Sequence, residues 1–258
     1  MPVLIGTSGW QYRDWRPRFY PERLPQRSWL EHYVRHFDTV ESNAAFYHLP
    51  APETFASWAA RTPDDFVFAV KANRYLTHIR RLRDPDEPVA RMLENMRRLG
   101  AKLGPVLLQL PPNLKADLDA LARTLDRFDD RLRVAVEFRH ETWFTPECRA
   151  LLEERGAALC LADRESRPIA PLWRTASWGY LRLHSGTAEP RPCYGRSALT
   201  TWGRRLADLW GPDDDVFVYF NNDHRACALR DARSFARAVE RAGLQASRVP
   251  GAGDVGAP

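Results

Sequence analysis

Acids, bases and amides collect at the ends of short apolar runs in this chain. Val134-Ala135-Val136-Glu137-Phe138-Arg139-His140 is a β-branched run that stops in a carboxylate, a guanidinium and an imidazole, and Phe66-Val67-Phe68-Ala69-Val70 is followed at once by Lys71. Thr39-Val40-Glu41 leads to Asn43, Pro105 to Leu110 carries Gln109, and Ala158 to Ala162 runs into Asp163. Trp178 to Leu183 holds Arg182 and is followed by His184, Val216 to Phe220 ends in Asn221-Asn222, and Val3-Leu4-Ile5 leads through Ser8 to Trp10 and Tyr12. Charge at a strand end is costly to bury unless it is paired or meets a ligand. These residues are therefore expected to share one polar pocket, the alternative being an internal ion-pair network such as Glu137 with Lys71 or Arg182.

The residue types point to several chemistries. Glu137 or His184, with Asp163 and Lys71, would serve as general acid or base, while Arg139 and Arg182 hold an anionic group in forked hydrogen bonds. Asn43, Gln109, Asn221 and Asn222 supply amide contacts to a substrate, and Trp10 and Tyr12 supply ring faces for stacking. Glu41, Glu137, Asp163 and His184 form a candidate set for a divalent metal, although no His-x-x-x-His element supports it. Lys71 would form a Schiff base if desolvated beside other cations. The leading expectation is an enzyme acting on a phosphate-bearing ligand, a phosphodiester or nucleic-acid hydrolase. A lyase or isomerase using Lys71 and Glu137 on a small sugar phosphate is the alternative among enzymes, and a non-catalytic nucleic-acid-binding protein is the alternative outside them. Alternation places Glu137 and Arg139 on one strand face and Phe138 and His140 on the other, so His140 is expected to support a loop.

Elements with regular periods must position these groups. Between the apolar runs lie stretches with helical spacing, among them Trp29, Leu30, Tyr33, Val34 and Phe37, then Val89, Met92, Leu93, Met96 and Leu99, then Leu118, Leu121, Leu125 and Phe128. Others run from Pro52 to about Arg61, from Pro146 to Arg155, from Leu199 to Trp210 and from Ala226 to Ala242. The alternation predicts an α/β fold, a single (β/α)8 TIM-type barrel over residues 1–246 with an irregular connection from Arg164 to Ser177 between the sixth and seventh strands. A doubly wound sheet is disfavoured because Gly-x-Gly-x-x-Gly does not follow the first strand. The Gly-, Ala- and Pro-rich tail, 247–258, is expected to be disordered.

The chain has 258 residues, is 44% hydrophobic and carries a formal net charge of +5, enough apolar content for a large core and a basic balance that admits an anionic small molecule or nucleic acid as partner. Lysine occurs only at Lys71, Lys102 and Lys115, and most arginines read as a solvated helical surface. Arg80-Arg81-Leu82-Arg83 is the densest basic run and is expected in a loop that meets either a phosphate backbone or water. The aromatic stretch Trp10 to Tyr20 is expected mainly to pack its own rings. Cys148, Cys160, Cys193 and Cys227 show no Cys-x-x-Cys pair and read as reduced thiols. No apolar run reaches membrane length and no secretion signal is visible, so the expected location is cytoplasmic, with no membrane partner. Oligomeric state is not legible.

Several ordered motifs also carry a resemblance. Gly6-Thr7-Ser8-Gly9-Trp10 with Tyr12, Trp15 and Phe19-Tyr20-Pro21, Lys71-Ala72 leading to Thr77-His78, Leu108-Gln109-Leu110-Pro111-Pro112, Val136-Glu137-Phe138-Arg139-His140 with Trp143, Arg182-Leu183-His184, and Tyr219-Phe220-Asn221-Asn222 are present in order. Together they closely resemble the YecE-like proteins, the family called domain of unknown function 72, from about Leu4 to Ala242. The resemblance implies a single TIM-type barrel and no established reaction. The chain departs from the family pattern where Cys227 and Asp231 stand in a stretch that often reads Gly-x-Ala-x-x-Asn-Ala, and where Ser185 precedes Gly186 in place of the usual histidine.

Overall fold

The computed structural model describes residues 2–256. Its strands are β1 (Val3–Thr7), β2 (Thr39–Ser42), β3 (Val67–Lys71), β4 (Leu103–Gln109), β5 (Val134–Glu137), β6 (Ala158–Arg164), β7 (Arg167–Pro168), β8 (Gly179–Leu183) and β9 (Val216–Phe220). The helices are α1 (Trp29–Tyr33), α2 (Ala44–Tyr47), α3 (Pro52–Ala60), α4 (Asp86–Met96), α5 (Leu118–Leu125), α6 (Pro146–Glu154), α7 (Arg196–Leu209) and α8 (Cys227–Arg241). The hydrogen-bonded order is β1-β9-β8-β6-β5-β4-β3-β2, with β7 off this path and antiparallel to β6. A parallel bridge between Ser8 and Glu41 joins the first and last strands of that order. This is the strand order of a (β/α)8 TIM-type barrel, and the fold is α/β as expected. The irregular connection between the expected sixth and seventh strands contains the two-residue β7.

The chain divides into two compact units built from interleaved stretches. One comprises Met1–Glu41, Ala162–Ile169 and Trp178–Pro258, the other Ser42–Leu161 and Ala170–Ser177. In the first unit, β1, β9 and β8 are parallel and in register from Val3↔Val216 and Gly179↔Val216 onward. Gly6 is required there by proximity: a Cβ at this position would lie 2.5 Å from the Thr39 carbonyl oxygen. The aromatic stretch packs on itself as expected, with Trp15 and Tyr20 fully buried and Tyr20 stacked 4.4 Å from Trp29.

In the second unit, β3, β4, β5 and the start of β6 are parallel neighbours. The local chemistry of its helix starts is simple. Proline opens α3 and α6, where its missing N–H costs nothing. Asp117 caps α5 by accepting from Ala120 N at 2.9 Å, and the Thr145 hydroxyl accepts from Cys148 N at 3.3 Å. The basic run after β3 lies in a loop, where Arg80 pairs with Asp84 and Leu82 is buried.

Two expectations need correction. The tail from Ser247 is ordered through the last described residue: Ser247 N donates to Val3 O at 2.9 Å, its hydroxyl accepts from Ile5 N at 2.9 Å, and Gly256 N donates to Arg18 O at 2.8 Å. Backbone pairing to β1 holds it, a force that composition does not register; Ala257 and Pro258 lie outside the described residues. Cys193 and Cys227 form a disulfide across a separation of 34 residues, so only Cys148 and Cys160 remain outside a disulfide. Spacing concealed the pair because the fold, not the sequence, brings them together. Among the described residues no helix is long and apolar enough to cross a membrane.

The close approach at Gly6 is directly testable. Gly6→Ala is expected to lower unfolding stability by about 1–3 kcal/mol, the usual range for overpacking, because the neighbour it meets is backbone. Urea denaturation monitored by tryptophan fluorescence would check it, and an unchanged midpoint would contradict the close approach.

Candidate functional site

In the first unit, Glu41 and Arg182 are brought together and buried. Arg182 Nη2 donates to Glu41 Oε1 at 2.8 Å and to Ser8 Oγ at 3.1 Å, and the Tyr180 hydroxyl donates to Glu41 Oε2 at 2.7 Å. The Ser8 hydroxyl also donates to Glu41 Oε1. Strand alternation explains the grouping, since Tyr180 and Arg182 lie two residues apart on β8 and so face the same side. Burial, reinforced by the Glu41 charge, pushes the Tyr180 phenol well above its ordinary value, so it stays a donor. Tyr12 donates its hydroxyl to Ser8 O, and its phenol is likewise raised by burial and by Asp223 and Glu41. Trp10 is buried, and its carbonyl accepts from the Tyr20 hydroxyl at 2.6 Å.

Asp163 is fully committed. Oδ1 accepts from the Tyr194 hydroxyl and Oδ2 from Trp202 Nε1, each at 2.7 Å, so this carboxylate ties the 184–195 loop and α7 to the end of β6. Burial raises its pKa against these two hydrogen bonds. Asn221 Nδ2 and His184 Nδ1 lie 3.1 Å apart, within hydrogen-bond distance. Asn222 turns away to donate to Pro192 O at 3.0 Å and to Asp231 Oδ2 at 2.7 Å. Asp231 also accepts from Tyr194 N at 2.8 Å, and burial nevertheless lifts its carboxyl to about 7.

In the second unit, Glu137 is buried at the end of β5. Its Oε1 meets Arg139 Nη2 at 2.6 Å and its Oε2 accepts from Gln109 Nε2 at 2.9 Å. Arg139 lies two residues on, just past the end of β5. Lys71, buried at the end of β3, sets its ammonium 3.9 Å from the centre of the Phe46 ring, close enough for a cation–π attraction. The other side of this cluster was not expected. His78 meets the same Phe46 ring edge-on at 5.0 Å, and its Nδ1 lies 2.9 Å from the Thr77 hydroxyl. Its pKa is lowered first by burial and then by the positive charges of Lys71, Arg74 and Arg139. His78 lies in one turn of π-helix, Tyr75–Ile79, a rare geometry frequent at functional sites. Asn43 stands at the start of α2, where its carbonyl accepts from Phe46 N at 3.1 Å. His140 takes the supporting role expected, Nδ1 accepting from Thr142 N at 3.2 Å.

The metal candidates are not assembled into a set: among the described residues no three His, Cys, Asp or Glu side chains gather to hold an ion. Glu41 and Asp163 spend their oxygens on the donors named above.

Residues 4–253 match a family model described as protein of unknown function DUF72. The chain belongs to the DUF72 family. Among DUF72 relatives, the Escherichia coli K12 UPF0759 protein YecE is 35% identical over 173 residues, 65% of this chain; the chain thus spans 60% of that relative's length. The UPF0759 protein YunF of Bacillus subtilis strain 168 is 25% identical over 253 residues, covering 86% of this chain and 89% of YunF. A solved DUF72 structure from Thermotoga maritima superposes with a TM-score of 0.80 at 26% identity, covering 93% of this chain and all of that one. The family resemblance read from the motifs thus holds, and it brings a fold without a reaction.

Removing one partner of the buried pair, by Arg182→Met or Glu41→Gln, is expected to cost about 3–5 kcal/mol, because the other is left without its counter-charge. The double variant should cost clearly less than the sum, as a double-mutant cycle by chemical denaturation would reveal. For Asp231 the linkage sign is that of a raised carboxyl: its stabilisation is complete below the ordinary 3.8 and is lost as pH climbs through about 7. Asp231→Asn should therefore gain on the parent by on the order of a few kcal/mol between pH 4 and 7.5, and parallel stability–pH curves would refute the shift.

Proposed function

We propose that this protein is an enzyme acting on a phosphate-bearing ligand at the Lys71–His78–Arg139 cluster, with hydrolysis of a phosphodiester as its reaction. The observation that carries this reading is a neutral imidazole held among cations. Burial first, and then the charges of Lys71, Arg74 and Arg139, lower the pKa of His78, and the same cations would attract an anion. Such a site attracts phosphate oxygens electrostatically and keeps a base unprotonated beside them. Glu137 and Gln109 then act by positioning: their hydrogen bonds and ion pair orient the Arg139 guanidinium, which is partly open to solvent. His78 takes the proton of the attacking water as its oxygen bonds to phosphorus, the ester P–O bond breaks, and the departing oxygen receives a proton from the His78 imidazolium or from solvent, while the cations stabilise the charge that gathers on the phosphoryl oxygens. Exposed Tyr47, next to Phe46, offers a ring face for the remainder of the ligand.

Lys71 also supports a second reading, a lyase or isomerase reaction on a sugar phosphate through a Schiff base, because its ammonium is nearly buried against Phe46 beside other cations. A nucleic-acid-binding role without turnover is the outcome to which loss of the enzymatic reading would point. The cytoplasm is our proposed compartment. Disulfides rarely persist there, so this placement carries the corollary that Cys193 and Cys227 spend time as thiols in the cell.

The decisive experiment is a steady-state assay on bis(4-nitrophenyl) phosphate and short oligonucleotides, with and without added divalent cations. His78→Gln should lower kcat by about 100-fold or more with KM little changed. Arg139→Met should raise KM by about tenfold. Lys71→Met should move the acidic limb of the kcat/KM profile to higher pH, since the charge that depresses His78 is gone. Retention of salt-sensitive oligonucleotide binding without turnover in the parent protein would replace catalysis with binding. A borohydride-trapped adduct at Lys71 with a carbonyl substrate would favour the Schiff-base reaction.

A further inference from the structure

A second place for negative charge lies in the first unit, on the outward side of α7 and α8. Arg196 and Thr200 stand four residues apart on α7, and Ser234, Arg237 and Arg241 stand three and four apart on α8, so each set occupies one helical face. The helices approach closely at Gly203, where a Cβ would lie 2.9 Å from Ala238 O, and this approach fixes the separation of the two faces. Beside them is a cleft of about 160 Å³ lined by these five residues together with buried Tyr194 and Leu199. That is well below the roughly 300–1,000 Å³ of sites that engulf whole cofactors, and it suits a single charged group.

The charge balance of the cleft is one-sided. On α4 and α6 two exposed arginines meet acids, Arg91 with Glu87 and Arg149 with Glu153. Among the described residues neither Arg196, Arg237 nor Arg241 has an ion-pair partner, and no carboxylate lines the cleft. Arg237 and Arg241 are moreover a like-charged i,i+4 pair on α8, an arrangement that disfavours the helix until an anion enters. The Ser234 hydroxyl is spent on Arg230 O at 3.0 Å, whereas the Thr200 hydroxyl makes no hydrogen bond among the described residues and is available as a donor.

We propose that this cleft is an anion site that takes a phosphate or diphosphate group, with Arg196, Arg237 and Arg241 as its charged contacts and Thr200 as its neutral donor. It stands apart from the reaction assigned to the second unit and does not rest on it. The same group can come from free pyrophosphate or from the end of a phosphorylated metabolite, and both share the chemistry these residues read.

The test is titration of the full-length protein with inorganic pyrophosphate, followed by calorimetry at constant ionic strength. With Lys71→Met as the background, which takes a charge out of the second-unit cluster, pyrophosphate should still bind, and adding Arg237→Gln/Arg241→Gln should weaken that binding about 100-fold, tenfold for each charge-assisted hydrogen bond removed. Both arginines are exposed, so circular dichroism should show the variant folded. Pyrophosphate binding to Lys71→Met that is not weakened when Arg237→Gln/Arg241→Gln is added overturns the assignment. Absence of binding in the parent at millimolar pyrophosphate overturns it equally and leaves three solvated arginines.

Discussion

The first unit is organised by a carboxylate and a guanidinium that have both lost their water. Glu41 and Arg182 are 0% and 1% exposed, and their desolvation is offset only because each has several well-placed partners. That requirement is geometric. Ser8 must sit beside Glu41 at the β1–β2 bridge, Tyr180 must project on the same side of β8 as Arg182, and Gly6 must let β1 approach Thr39. A one-residue slip of β8 would turn both polar side chains away and leave Glu41 buried without its charge partner. Register and ion pair therefore enforce one another. The cost of an error, several kcal/mol, is of the order of a domain's whole stability.

The second unit treats its paired charge differently. Glu137 and Arg139 belong to one strand end, and the guanidinium retains 17% exposure, so it can still be approached from solvent. This contrast separates charges that hold strands together from charges that can meet a ligand. Asp163 and Asp231 fall on the holding side, each gripped by donors from neighbouring loops. Lys71 and His78 share the Phe46 ring.

The fold was legible because its signals are periodic: the apolar runs alternate with helical spacing, and the eight expected strands lie within a few residues of their true ends, whereas the two-residue β7 carried no such signal. Which strand-end charges would pair was not. Glu137 chose its own i+2 neighbour, and Glu41 chose Arg182 from 141 residues away, a choice that depends on three-dimensional register. Tyr180 was within reach, since alternation alone puts it beside Arg182. His78 was present in a quoted motif but lies in a π-helical turn with no period of its own, so it carried no positional signal. Asp163 accepts from Tyr194 and Trp202, and a sequence does not show where such donors will stand.

The Cys193–Cys227 bond makes α7 and β9 part of a covalent ring. A protease that nicked the chain anywhere inside that ring would leave one molecule, its pieces separable only after reduction. Closing a loop of 34 residues also shrinks the unfolded ensemble, worth on the order of 4 kcal/mol in the chain-entropy description. The same polypeptide would thus be a sturdier object in an oxidising medium than in a reducing one, with the difference concentrated in the segment that carries α7 and β9.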